Sequence, residues 1–219
     1  MVWASHWQLF SISYPRVHIH PRLLLLPLAA ILFSSCAIKD RVHTVRVSVA
    51  DQKMAVYRQG LEIARYDVST SKFGLGSRPG TNSTPLGEME IAKKIGKGAP
   101  MGMKFKSRKP TGEIVAVNAP GRDPIVTRIL WLKGLEAQNR NTYERYIYIH
   151  GTPEERMIGK PASFGCVRMR SRDVVQLFDT VGRGARVTID TAPLPPPPIP
   201  VTGEQVAQGG STTVPAPTM

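Results

Sequence analysis

Between residues 45 and 66 the chain alternates. Val45, Val47 and Val49 interleave with Arg46 and Ser48, and Met54, Val56, Ile63 and Tyr66 continue in short runs broken at Asp51-Gln52 and Gln59-Gly60. A period of two puts one row of side chains in a core and the other in water, so this stretch predicts meandering antiparallel strands. Further strands are expected from Glu88 to Ile91, Ile114 to Val117, Val126 to Trp131, Tyr146 to His150 and Ala185 to Ile189, most of them bounded by Gly, Pro or Asn. One stretch changes period: Val174, Leu177, Phe178 and Val181 repeat at helical spacing, with Ser171 placed to cap, Asp173 in the first turn and Gly182 placed to terminate. Many short strands with one principal helix predict a mainly β, mixed α+β fold.

The two ends read differently. Arg16 and Arg22 precede an apolar run from Leu23 to Phe33, followed by Ser34-Ser35-Cys36. A basic region, an apolar stretch of about 7–15 residues and small residues at a cleavage point are the parts of a secretory signal, too short for a comfortable membrane span. The small residues directly before Cys36 resemble the lipobox of bacterial lipoproteins, in which that cysteine is acylated, although Phe33 stands where an aliphatic Leu is usual. Simple secretion is the alternative. From Thr191 onward Pro193, Pro195 to Pro198, Pro200, Gly209 and Gly210 dominate, a composition that buries too little apolar surface to offset its ordering entropy. The expected organisation is a signal over residues 1–36, one folded domain over 42–190 and an extended, disordered tail over 191–219, with the protein exported to the cell envelope or periplasm and held at a membrane through Cys36.

Charge narrows the partner. The formal net charge of +13 calls for an anionic surface: nucleic acid, phospholipid headgroups or an anionic wall polymer. Export weighs against nucleic acid. So does the basic run of Lys93, Lys94, Lys97, Lys104, Lys106, Arg108 and Lys109, which lacks the interleaved aromatics of a base-stacking surface. Seeded with Gly96, Gly98 and Gly102, that run reads either as a mobile basic flap over a substrate groove or as a solvated loop.

With Cys36 assigned to the anchor, the chain's other cysteine, Cys166, has no disulfide partner. It lies in Ser163-Phe164-Gly165-Cys166-Val167-Arg168, sixteen positions after the His150 of Ile149-His150-Gly151-Thr152, and the intervening stretch is rich in turn formers. A thiol attacks well only once a base removes its proton, and a loop that returns on itself brings His150 to the rim of the sheet beside Cys166. Gly165 and Ser163 leave the sulfur uncrowded and accessible to substrate, Arg168 adds positive charge that favours thiolate, and the N–H groups of Gly165 and Cys166 are candidates for holding an oxyanion. One Cys and one His are too few for a zinc site, so neither metal nor organic cofactor is expected.

These residues resemble a known family. Ile149-His150-Gly151-Thr152, Gly159, and Ser163-x-Gly165-Cys166-Val167-Arg168-Met169 are similar to the signature of bacterial L,D-transpeptidase catalytic domains, the YkuD family, and Ser83-Thr84-Pro85-Leu86-Gly87-Glu88-Met89 is similar to its upstream T-P-x-G motif. The resemblance covers roughly residues 42–190. It implies a β-sandwich in which Cys166 attacks the amide of a peptidoglycan stem peptide, forms a thioester and passes the acyl group to an amine or water. It also implies His150 as base, the Gly151 carbonyl as orienter of the imidazole, and Arg168 as a receptor for the anionic peptide. Phe164 departs from the pattern, since the common signature carries a second histidine there. A wall-binding lipoprotein without turnover, and a cysteine peptidase or carboxypeptidase, are the competing readings.

Overall fold

The computed structural model describes residues 39–197; the expected signal, Cys36 and most of the proline-rich tail lie outside the described residues. The alternating segment folds as three antiparallel strands, β1 (His43–Ser48), β2 (Lys53–Arg58) and β3 (Leu61–Asp67). They are followed by β4 (Gly87–Ile95), β5 (Met103–Lys106), β6 (Lys109–Ile114), β7 (Val126–Gly134), β8 (Tyr148–Gly151), β9 (Val167–Met169), the helix α1 (Ser171–Thr180) and β10 (Arg186–Asp190). The mainly β expectation with one principal helix holds.

The strands join in the order β3-β2-β1-β10-β4-β7-β5-β6, with β8 branching from β7 and β9 lying beside β8. Two pairings are parallel, β1 with β10 and β8 with β9. Ser69, just past β3, then exchanges two backbone hydrogen bonds of 2.9 Å with Arg168 in β9. That bridge brings one end of the curled sheet onto the other and leaves little open edge where the cysteine loop begins. Inside, Val47, Met54, Ile91, Leu132, Ile149 and Met169 pack with Val174, Leu177 and Phe178 of α1 in one core.

Three local expectations change on folding. Ser171 does not cap α1: the helix begins a residue earlier, Arg170 is the extended cap, and the Ser171 N–H donates to the Glu155 carboxylate at 2.8 Å. A tertiary carboxylate therefore satisfies an orphan amide at the positive end of the helix, and the Ser171 hydroxyl instead pairs with Thr127 at 2.8 Å. At the other end the cap is Val181, in extended conformation, while Lys94 donates to the carbonyls of Phe178 and Val181 at 2.6 and 2.7 Å in place of a terminating glycine. The strand expected over Ile114 to Val117 ends at Ile114, and its body is Lys109–Ile114, exposed throughout. A hairpin arm standing in water has no face to bury, so no alternation marks it.

Lys106 and Lys109 pair across this hairpin, leaving Ser107 and Arg108 as its two-residue turn at φ 49° and 67°. That turn needs positive φ at both positions, which Asn-Gly adopts easily and which costs other L-residues about 1–2 kcal/mol each. Near the start of the proline-rich segment, Leu194 is buried, its N–H bonded to Asp51 at 2.6 Å, and Arg65 donates to the Pro195 carbonyl at 2.7 Å.

Leu177 is fully buried between α1 and the sheet, so Leu177→Ala should lower unfolding free energy by about 2–5 kcal/mol. Urea denaturation checks this; a loss under about 1 kcal/mol would place Leu177 outside the load of the core.

Candidate active site

The parallel register of β8 and β9 sets Ile149 beside Val167 and His150 beside Arg168. Alternation then carries Tyr148 and His150 on one face of β8 with Arg168 on the same face of β9, and Cys166, the residue immediately before β9, lies beside Tyr148, whose N–H its sulfur accepts. On the far side of β8, Ile129 and Trp131 of β7 face His150 and Tyr148. The β7 strand reaches this register through a bulge between Val126 and Ile129, where the β-branched Thr127 takes φ 71°. Bulges of this kind re-aim side chains at the edge of a site.

His150 is buried rather than standing free at a rim, with 5% of its surface exposed. Its Nδ1 lies 2.9 Å from the Gly151 carbonyl, an oxygen that only accepts, so the proton is on Nδ1 and Nε2 carries the lone pair. Cys166 is half-buried; its thiol donates to the Tyr146 carbonyl at 3.5 Å and accepts from the Tyr148 N–H at 3.4 Å. Among the described residues those are its polar contacts, and the sulfur makes no hydrogen bond to His150.

Burial holds both groups neutral. The thiol is pushed up to about 11, chiefly by desolvation, against the lowering influence of the Tyr148 N–H and the Arg145 guanidinium. Desolvation also lowers His150, with Arg168 acting the same way and the Gly151 carbonyl and Asp123 opposing. The resting pair is therefore thiol and free imidazole, and the positive charge expected to favour thiolate comes first from Arg145, with Arg168 the smaller influence.

The loop carrying Cys166 is clamped by the segment that contains Ser83-Thr84. Thr84 Oγ1 accepts from the Ser71 N–H at 3.0 Å and donates to the Gly165 carbonyl at 3.1 Å. Gly165 has φ 112°, which strains any L side chain, and a Cβ there would press at 3.2 Å on the Ser83 carbonyl and 3.3 Å on that of Asn82. Ser163 is buried and internal to the loop: its hydroxyl donates to the Cys166 carbonyl at 2.6 Å and accepts the Gly165 N–H at 3.2 Å. That amide, expected to be available to an oxyanion, is occupied within its own loop.

The L,D-transpeptidase catalytic domain profile, YkuD, matches residues 43–189. The chain belongs to this family. A curated relative, "Putative L,D-transpeptidase YkuD" of Bacillus subtilis (strain 168), is 33% identical over 87 residues, 40% of this chain and 48% of its own. Its namesake in Bacillus licheniformis is 35% identical over 86 residues, 39% of this chain and 47% of its own. The chain thus spans about half the length of these relatives. A solved L,D-transpeptidase 3 from Mycobacterium tuberculosis, in complex with a faropenem-derived adduct, aligns over 68% of this chain and 60% of its own at 16% identity and TM-score 0.44.

Against the YkuD pattern, two residues change meaning. Arg168 is 2% exposed and committed to the protein: it pairs with Asp123 and with Glu154 at 3.2 Å, and donates to Ser69 Oγ at 3.2 Å. It lies inside because β9 is flanked by β8 on one side and Ser69 on the other, so its guanidinium is not open to a peptide. Breaking such a buried pair costs about 3–5 kcal/mol, against about 0–1 kcal/mol for the exposed Lys104–Glu113 pair. Phe164, where the family commonly has histidine, is exposed, packs on Phe73 at 5.3 Å and lies under Lys72 at 4.6 Å. It walls a groove of about 700 Å³ shared with Arg122, Asp123 and Arg156.

Sequence pattern missed Arg145, which donates to the carbonyls of Gly76 and Ser83 at 3.2 and 2.7 Å, and Asp123, which joins Arg168 to Thr152. Both lie outside the signature, and only folding places them at the site. Among the described residues no group of three or more His, Cys, Asp or Glu converges as a metal site.

A thiol held near 11 reacts slowly at neutral pH, so alkylation of Cys166 by iodoacetamide in the free protein should climb about tenfold per pH unit from 7 to 10. A rate already level by pH 8 would mean a preformed thiolate and contradict a thiol raised by desolvation.

Proposed function

We propose that the chain is a cysteine-dependent peptidoglycan L,D-transpeptidase, exported and held at a membrane through a lipidated Cys36. The observation that carries the reading is an imidazole on β8 whose Nδ1 is tied to the Gly151 carbonyl, leaving Nε2 as proton acceptor, with Cys166 held against the same strand by the Tyr148 N–H. Family membership supports the transferase class.

In this reading Sγ attacks the stem-peptide carbonyl as its proton passes to His150 Nε2, avoiding a bare buried thiolate. The tetrahedral intermediate collapses when the imidazolium gives that proton to the leaving amine, and the acyl group remains on sulfur as a thioester. An acceptor amine or water then loses a proton to Nε2, attacks the thioester and releases the thiol, which recovers its proton from the imidazolium. Arg145 supplies positive potential to the sulfur, while Arg168 acts as a positioning residue that locks β9 to Asp123 and Glu154. Neutral residues at Gly165 and Ser163 leave an uncrowded approach to the sulfur.

Cys166→Ala should abolish the acyl-enzyme mass increment with a stem tetrapeptide, and His150→Gln should slow acylation by about 10²–10⁴-fold. An increment that persists in Cys166→Ala shows another nucleophile; intact peptide with retained wall pull-down in the parent protein favours a binder, and cleavage of ordinary L-peptides favours a peptidase. Since His150 must be unprotonated and its value is lowered, acylation should rise as pH increases through a point below 6.5 and hold across neutrality. Cys36→Ser should move the protein from the membrane fraction to the soluble fraction, which immunoblotting of fractionated cells reads directly.

A further inference from the structure

The face that carries Cys166 ends in an aromatic wall with two cations above it. Trp131 stacks on Tyr143 with centroids 4.1 Å apart, and Tyr146 and Tyr148 lie 5.6 and 5.5 Å from the indole. The Arg108 guanidinium stands 5.0 Å from the Trp131 centroid and 4.8 Å from that of Tyr146, and Lys93 Nζ lies 5.4 Å from Trp131. The wall is contiguous with the nucleophile candidate, because the Tyr146 carbonyl and the Tyr148 N–H are the two groups that hold Cys166 Sγ.

Neither cation has an acidic partner among the described residues. Arg108 has five N–H donors and one protein hydrogen bond, Nη1 to Tyr148 Oη at 3.4 Å. Its backbone holds φ 67° beside Ser107 at 49°, in a turn better suited to Asn or Gly. A strained turn that aims an unpaired guanidinium across an aromatic floor is arranged to meet a planar anion, since arginine binds carboxylate in a bidentate fork while its other face stacks.

The geometry points to Arg108, seconded by Lys93, as the receptor for a carboxylate of the acyl donor: the substrate class is an acidic peptide, read by the β5–β6 hairpin and not by the buried Arg168. The inference rests on the transpeptidase reading for its choice of peptide. Arg108 binds and orients the donor and takes no part in bond making.

The test uses Cys166→Ala protein, which binds without reacting, and calorimetric titration with a stem tetrapeptide bearing free carboxylates or with the same peptide amidated. The parent should prefer the free acid by about tenfold or more, and in a Lys93→Gln background Arg108→Asn should bind both peptides equally at the amide's level. Asn accepts positive φ, and Arg108→Gly serves as a second variant; a melting temperature at or above the parent's in either shows the hairpin intact. A preference that survives both variants, the absence of any preference, or no binding of either peptide overturns the assignment. Intact-mass acylation of the Cys166 protein separates the two ideas. Acylation without carboxylate preference removes Arg108 and leaves the transpeptidase; an Arg108-dependent preference without acylation does the reverse.

Discussion

Two short strands running parallel bring a cysteine beside the strand of a histidine sixteen residues earlier in sequence. Antiparallel strands need only a turn, whereas β8 and β9 require the chain to leave the sheet and return in the same direction. The intervening loop is stitched back by Gly159 N–H to the Val68 carbonyl and by Ser163 N–H to the Thr70 carbonyl, both at 2.9 Å. Ser69 closes the sheet against Arg168, and the Arg168 guanidinium fixes β9 from below through Asp123 and Glu154. The strand beside the candidate dyad is thus braced by one buried arginine and its two part-buried carboxylates.

Burial explains the electrostatics of the pair. A solvent-exposed cysteine beside a cationic histidine forms a thiolate readily, but here desolvation disfavours charge on both, raising one group and lowering the other. The outcome is a neutral thiol held by the Tyr146 carbonyl and the Tyr148 N–H. A neutral thiol beside a neutral imidazole suits a reaction in which proton transfer accompanies attack.

Around this centre the surface divides. Phe164 and Phe73, with Lys72, form one aromatic and cationic edge, next to the groove that reaches Asp123. Trp131, Tyr146 and Arg108 form the other, on the side of Tyr148. The departure from the family's usual histidine at Phe164 thus alters a wall of the groove, while His150 and its Gly151 carbonyl are untouched. The basic run is not one device: Lys94 is consumed in capping α1, Lys104 pairs with Glu113, and Lys93 and Arg108 lie over Trp131.

The period-two run from residue 45 to 66 revealed β1 to β3, turn-bounded apolar runs revealed β7 and β10, and the helical period of Val174, Leu177 and Phe178 revealed α1 because its stripe meets the core. The family signature was equally local, a few glycines and two reactive residues at fixed spacing around His150 and Cys166. What the pattern could not show was wherever the decisive partner lies far along the chain: Glu155 in place of a serine cap, Asp123 and Glu154 claiming Arg168, and Arg145 approaching the thiol. The exposed β6 was hidden for the opposite reason, having no buried face to imprint a period. Local sequence marked most of the strands, the principal helix and the family signature around His150 and Cys166, since backbone preference and side-chain chemistry act over a few residues. Tertiary structure alone decided which charges are buried, which are free and which way the thiol titrates, because those depend on solvent exclusion by segments that meet only in the folded chain.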